Sequence, residues 1–204
     1  MDDEYLGIKV TLIGESSVGK TCIINRFCKG VFNTDVESTL GANYSQKKLE
    51  KNGQKIRLDL WDTAGQEKYR AIGRHFYKES YIVCLVYDIT SKESFENLKT
   101  IWYPDLKEYG EEYKIVALIG NKLDKFLDEE VSEEEGRKFA KEINAVYKRT
   151  SALEGTGLED LFNELVDKYL KNIKDDIKKN DKEKQDNIVI KKEDDNQPKQ
   201  RKFC

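Results

Sequence analysis

The chain has 204 residues and a net charge of −3, enough for one domain with a sizeable core plus an extension. From Ile173 the composition turns almost entirely to Lys, Asp, Glu, Asn and Gln, with 10 Lys or Arg against 8 Asp or Glu, so the negative balance lies in the earlier part and no nucleic-acid surface is expected. Four cysteines (Cys22, Cys28, Cys84, Cys204) without C-x-x-C pairing, no apolar run long enough to span a bilayer and an acidic Met1-Asp2-Asp3-Glu4 start argue against disulfides, zinc, a spanning helix and a signal peptide, and Asp2 rules out N-myristoylation.

The first predicted strand, Ile8 to Ile13, runs into Gly14-Glu15-Ser16-Ser17-Val18-Gly19-Lys20-Thr21, which fits G-x-x-x-x-G-K-[ST]. Such a loop, followed by a helix with Cys22, Ile23, Ile24 and Phe27 on its apolar face, aims backbone N–H groups and a helix N-terminus at a polyphosphate. Lys20 is placed to reach the outer phosphates, and the Thr21 hydroxyl to ligate Mg²⁺.

Tyr44 to Leu49 and Lys55 to Trp61 predict an antiparallel hairpin around Asn52-Gly53. Behind it comes Trp61-Asp62-Thr63-Ala64-Gly65-Gln66-Glu67, where Asp62 can hold Mg²⁺ through water, the bare Gly65 N–H can approach a terminal phosphate and Gln66 can orient an attacking water. Tyr81 to Tyr87 and Lys114 to Ile119 are continuous apolar runs, as expected of central strands buried on both faces. Between them Ser91 opens a helix to Tyr109, with a kink or short break expected near Trp102 because Pro104 lacks an N–H. Ser132-Glu133-Glu134-Glu135 is a capping box for a helix to Ile143, Ala145 to Lys148 is the last strand, and Gly157 to Leu170 the last helix. From Ile173 the pattern decays, which predicts a disordered tether; Ile188-Val189-Ile190 is read as a local fluctuation.

A base-reading loop belongs at the end of a buried strand, and Gly120-Asn121-Lys122-Leu123-Asp124 stands there. The Asp124 carboxylate can accept hydrogen bonds from the N1–H and 2-amino group of guanine, donors that adenine does not offer in that arrangement. Asn121 is placed to pin neighbouring loops, the Lys122 stem to lie on the base, and Thr150-Ser151-Ala152-Leu153 to close the pocket with the Ala152 N–H facing the guanine oxygen.

Four such motifs in order on one α/β pattern closely resemble a Ras-superfamily small GTPase over roughly residues 6 to 172, and within it the Rab branch. The residues that carry the resemblance are Gly14 to Cys22, Trp61 to Ile72, Tyr87-Asp88-Ile89-Thr90 and Phe95-Glu96-Asn97-Leu98. It implies an α/β P-loop NTPase fold: a small G domain over 1–172 with a six-stranded, mostly parallel sheet, one antiparallel edge hairpin and five flanking helices, then a hypervariable tail over 173–204. It also implies a GTP site from Ser17, Val18, Gly19, Lys20, Thr21, Cys22, Phe32, Thr39, Gly65, Asn121, Lys122, Asp124, Ser151, Ala152 and Leu153, with Phe32 stacked on guanine. Thr21, Thr39 and Asp62 would serve Mg²⁺, Gln66 catalysis, and Tyr44, Trp61 and Phe76 an aromatic face for effectors.

Four features depart from the Rab pattern. Ala42-Asn43-Tyr44 stands where Val-Asp-Phe is usual, Leu153 where Lys is usual, Trp102-Tyr103-Pro104 is similar to Rho proteins, and the end Arg201-Lys202-Phe203-Cys204 has one cysteine instead of two. The expected activity is a GTP/GDP switch with slow hydrolysis, assisted by an activating protein because the motifs offer no arginine in cis, and reset by an exchange factor. Effectors would read residues 31–44 and 65–77 of a monomer that cycles between cytoplasm, held by a solubilising chaperone, and the cytosolic face of an intracellular membrane through a prenyl group on Cys204. A Rho- or Ras-like signalling switch and a nucleotide-locked scaffold without significant hydrolysis are the alternatives.

Overall fold

The computed structural model describes residues 5–34, 38–39, 41–65, 74, 76, 80–110 and 114–194, with side chains in the last helix through 176 and at 178. Residues up to Leu165 form one compact unit, and the chain from Val166 forms a second.

Strand β1 (Leu6–Ile13) leads to helix α1 (Lys20–Lys29), and β2 (Ala42–Lys51) and β3 (Gln54–Thr63) follow. The hairpin between β2 and β3 turns on two residues, Asn52 at φ 53° and Gly53 at φ 75°, the positive pair that matches the twist of the flanking strands. Then come β4 (Ile82–Asp88), α2 (Lys92–Asn97), a π-helical turn (Leu98–Trp102), α3 (Tyr103–Tyr109) and β5 (Ile115–Asn121). A 3₁₀ segment (Leu123–Asp128), α4 (Glu133–Glu142), β6 (Val146–Arg149) and α5 (Leu158–Asp194) complete the order.

The six strands lie in the order β2-β3-β1-β4-β5-β6, parallel except where β2 pairs antiparallel with β3. This is the sheet expected from the alternation of strand and helix signals. Every residue of β4 and β5 is buried, so both faces of the sheet centre are covered. Val83, Leu85 and Tyr87 of β4 alternate onto the face that packs against Phe95, Trp102 and Phe139, while α1 and the start of α5 meet through Phe27 and Phe162, stacked at 3.9 Å. Burying each such ring contributes about 1.5–3 kcal/mol.

The break expected near Trp102 is the π turn itself, where the Tyr103 N–H bonds five residues back to the Leu98 carbonyl. Pro104 follows in a backbone that stays helical from Asn97 through Tyr103, so its missing N–H takes one donor out of the ladder where the π turn sits. The Ser132 capping box forms as read, with the Ser132 side chain accepting from the Glu135 N–H. The last helix differs from the sequence reading: it does not stop at Leu170 but continues to Asp194, into the stretch from Ile173 taken as a disordered tether. The run from Leu158 to Gln197 holds no Gly or Pro and is rich in Lys, Glu, Asp and Gln. Charge lowers the hydrophobic signal of such a run without supplying a helix breaker.

Candidate functional site

The carboxyl ends of β1, β3, β5 and β6 converge on a cavity of about 470 Å³, on the edge where an open parallel sheet places its ligands. One end is the loop between β1 and α1. Gly19 takes φ 97° there, and a Cβ on it would come 2.4 Å from Asn121 Nδ2, so both conformation and space demand glycine. Lys20 is 6% exposed, and its Nζ donates to the Gly14 carbonyl at 2.8 Å and the Glu15 carbonyl at 2.7 Å. Burial pushes its ammonium down to about 8, against the pull of Asp62 and Glu15.

Next to Lys20, three side-chain oxygens meet. The Thr21 hydroxyl donates to Asp62 Oδ2 at 2.7 Å, the Thr39 hydroxyl to the same oxygen at 3.1 Å, and the two hydroxyls lie 3.3 Å apart. Asp62 is 2% exposed and its Oδ1 has no hydrogen-bond partner among the described residues. Burial pushes this carboxyl up, while the Thr21 bond and the Lys20 charge pull it back. An all-oxygen cluster with an unsatisfied buried carboxylate oxygen fits a hard divalent cation.

Gly65 closes over this end. A Cβ on it would stand 2.4 Å from the Glu15 carbonyl carbon and the Ser16 nitrogen, so the β3 terminus can lie on the loop only without a side chain.

At the far end Asn121, 1% exposed, ties three segments together. Its amide donates to the Val18 carbonyl at 2.9 Å, and its oxygen accepts from the Thr150 hydroxyl at 3.2 Å and the Ala152 N–H at 3.3 Å. The Ala152 N–H is aimed at the Asn121 oxygen, which the Val18 bond turns toward it. Ser151, fully buried, donates its hydroxyl to Asp124 Oδ1. Lys122 sits at φ 66° with its Nζ 2.6 Å from Asp88 Oδ2, which lays its stem along the cavity wall.

The cavity brings together Ser17, Gly19, Lys20, Thr21, Cys22, Phe32, Thr39, Gly65, Asn121, Lys122, Asp124, Ala152 and Leu153. Val18 and Ser151 are buried behind it and act on it through Asn121 and Asp124. Burial raises the Cys22 thiol above its ordinary range, so it lines the wall as a neutral group. Gln66 and Cys204 lie outside the described residues, as do residues 35–37, 40, 66–73, 75 and 77 of the two expected switch loops.

Away from the cavity, the rings of Tyr44, Trp61 and Phe76 form a row, with centroids 5.4 and 5.2 Å apart and Tyr44 49% exposed. Tyr44 also donates its hydroxyl to Asp59 Oδ1 at 2.5 Å. Two residues beside the cavity were given no role in the sequence reading: Glu15, whose carboxylate accepts from the Trp102 indole N–H at 2.9 Å, and Arg26, bonded to the Ala152 carbonyl at 2.9 Å. Neither bond has a local signature, since the partners are 87 and 126 positions apart.

A family model described as the Ras family matches residues 9–171. The chain is 38% identical to the human Ras-related protein Rab-30 over 166 residues, 81% of this chain and 81% of that protein. It is 39% identical to the Ras-related protein RABA1b of Arabidopsis thaliana over 165 residues, 81% of this chain and 76% of that one. With the Ras-related protein Rab-26 of Mus musculus it shares 38% identity over 162 residues, 79% of this chain and 62% of the relative's length.

Proposed function

Because the chain belongs to the Ras family of small GTPases and to its Rab branch, we propose that its cavity binds guanine nucleotide and that it works as a slowly hydrolysing GTP/GDP switch in vesicle trafficking. The observation that carries the reading is that one cavity joins Lys20 and Thr21 at one end to Asn121, Lys122 and Asp124 at the other.

The base lies between the Lys122 stem, Leu153 and Phe32, and the Asp124 carboxylate accepts from its N1–H and 2-amino group. Ser151 keeps that carboxylate aimed, and Asn121 keeps the base loop in step with the phosphate loop. Backbone N–H groups from Ser17 to Cys22 cradle the phosphates, and Lys20 exchanges its two carbonyl partners for phosphate oxygens, which removes the cost of burying an ammonium among neutral groups. Thr21, Thr39 and Asp62 would hold Mg²⁺. When bound, the ion would neutralise charge that develops in phosphoryl transfer. Gly65 offers its N–H to the terminal phosphate, and Gln66 orients the attacking water.

Loss of the terminal phosphate releases Thr39 and Gly65 and with them the loops over 31–44 and 65–77, the surfaces for effectors together with Tyr44, Trp61 and Phe76. Unassisted turnover is on the order of 10⁻⁴ s⁻¹, and an activating protein supplies the missing positive charge while an exchange factor reloads GTP. Residues 173–204 carry Cys204, whose single prenyl group gives reversible residence on a cytosolic membrane face and a handle for a solubilising chaperone. Among the described residues no helix is long and apolar enough to cross a membrane.

Exchanging Asp124 for Asn tests the base pocket: preference should move from GTP toward XTP by roughly 10⁴-fold. Unchanged GTP selectivity in that variant would refute the assignment. A nucleotide-locked scaffold is distinguished by phosphate release over many turnovers, which it would not show even with an activating protein.

A further inference from the structure

Arg26 lies in α1 outside every motif, yet its guanidinium reaches both sides of the base end of the cavity. Its Nε donates to the Ala152 carbonyl at 2.9 Å, its Nη2 to the Leu153 carbonyl, and its Nη1 to the Gly30 carbonyl at 2.9 Å. Its Cζ stands 6.0 Å from the centroid of the Phe32 ring, within the range of a cation–π contact.

Among the described residues these bonds join the two walls directly. The Ser151–Gly155 turn is closed by the Gly155 N–H on the Ser151 carbonyl at 2.8 Å and held at its base by Asn121 and Asp124, while Leu153 beyond Ala152 is 46% exposed. The other wall follows Gly30, which ends α1 at φ 70° with its N–H on the Arg26 carbonyl at 2.9 Å. Arg26 therefore accepts from Gly30 through its backbone, donates to Gly30 through its side chain, and spends the rest of its fork on the opposite turn. A planar guanidinium can serve three carbonyls while facing an aromatic ring; an ammonium on a flexible stem cannot hold all of them at once.

We propose that Arg26 is a positioning residue for nucleotide retention: it clamps the Ala152–Leu153 turn to the Phe32 segment and so sets how long the bound base stays. The proposal rests on the reading of the cavity as a guanine-nucleotide site. It assigns Arg26 no contact with the phosphates, so its loss acts on release and not on bond cleavage.

The test is to load the full-length wild type, Arg26→Ala and Arg26→Lys with a fluorescent GDP and follow its release, and in parallel to measure single-turnover cleavage of bound GTP. Release should quicken about tenfold in Arg26→Ala and less in Arg26→Lys, which keeps the charge near Phe32 but not the fork, while cleavage changes less than twofold. Should Arg26→Ala fail to fold, Arg26→Lys alone must show the split between release and cleavage. Release within twofold of wild type in both variants would overturn the clamp, and so would release and cleavage deteriorating together, the mark of general damage. A wild type that retains no GDP would instead overturn the nucleotide reading on which the clamp depends.

Discussion

The Trp102 indole N–H donates to the Glu15 carboxylate across 2.9 Å and thereby ties the helical layer behind β4 to the loop that holds Lys20. The π turn makes this reach possible: Trp102 is 2% exposed in the same cluster as Phe95, Leu98 and Leu106, but its ring edge still meets the loop. Glu15 is the hinge of the arrangement, because its carbonyl accepts from Lys20 and its backbone is the surface on which Gly65 rests.

Trp102→Phe keeps a ring in the core but removes the donor to a charged acceptor. A loss of about 2 kcal/mol is expected, from the missing bond and the volume left behind. Urea unfolding of the nucleotide-free protein measures it, and a midpoint equal to wild type would show that the bond contributes nothing.

Gly65→Ala places a methyl group 2.4 Å from the Glu15 and Ser16 backbone, atoms that cannot rotate away as a flexible side chain could. The β3 terminus must lift, which on the proposed reading moves the Gly65 N–H off the terminal phosphate. GTP cleavage in a single turnover should fall roughly 100-fold, the scale of a misplacement near 1 Å. GDP should still bind, since the base end of the cavity is untouched.

Asp62→Ala removes the carboxylate that Thr21 and Thr39 both address. Retention of GDP by the wild type should depend on magnesium, with release speeded roughly 10- to 100-fold by a chelator. In the variant, release should be fast from the start and nearly indifferent to the chelator. A wild type blind to chelation would remove the cation from the account.

Glu135 gives a pH signature of the capping box. The Lys92 ammonium first, then the Ser132 N–H and hydroxyl, hold its carboxyl down to about 2, against 4.5 for an unperturbed group. A depressed carboxyl stabilises the fold above the unfolded value and loses that contribution as pH falls through the interval from 4.5 toward 2. The unfolding midpoints of wild type and Glu135→Gln should therefore differ at pH 7 and converge as pH is lowered from 4.5 toward 2. Both partners are more than two-fifths exposed, at 43% and 44%, so the difference at neutral pH stays under about 1 kcal/mol.

What the sequence determined by itself was whatever is encoded in neighbouring residues. Asn52-Gly53 specifies its turn because two adjacent residues accept positive φ, Ser132 and Glu135 specify a helix start because they bond each other three positions apart, and Gly14 to Thr21 reads as a cradle because strand, loop and helix follow directly. The unbroken apolar runs of β4 and β5 likewise announce a sheet covered on both faces. The tertiary structure alone decided which distant atoms those elements bring within bonding range. Arg26 meets Ala152 across 126 positions and Trp102 meets Glu15 across 87, contacts set by strand order, helix rotation and the π turn. The sign of the tail was also hidden, because low hydrophobicity and high charge describe a solvated helix and a disordered chain equally well, and α5 runs on to Asp194. A side chain's type limits what it can bond; the closure of the chain, which fixes the neighbours, decides what it does bond.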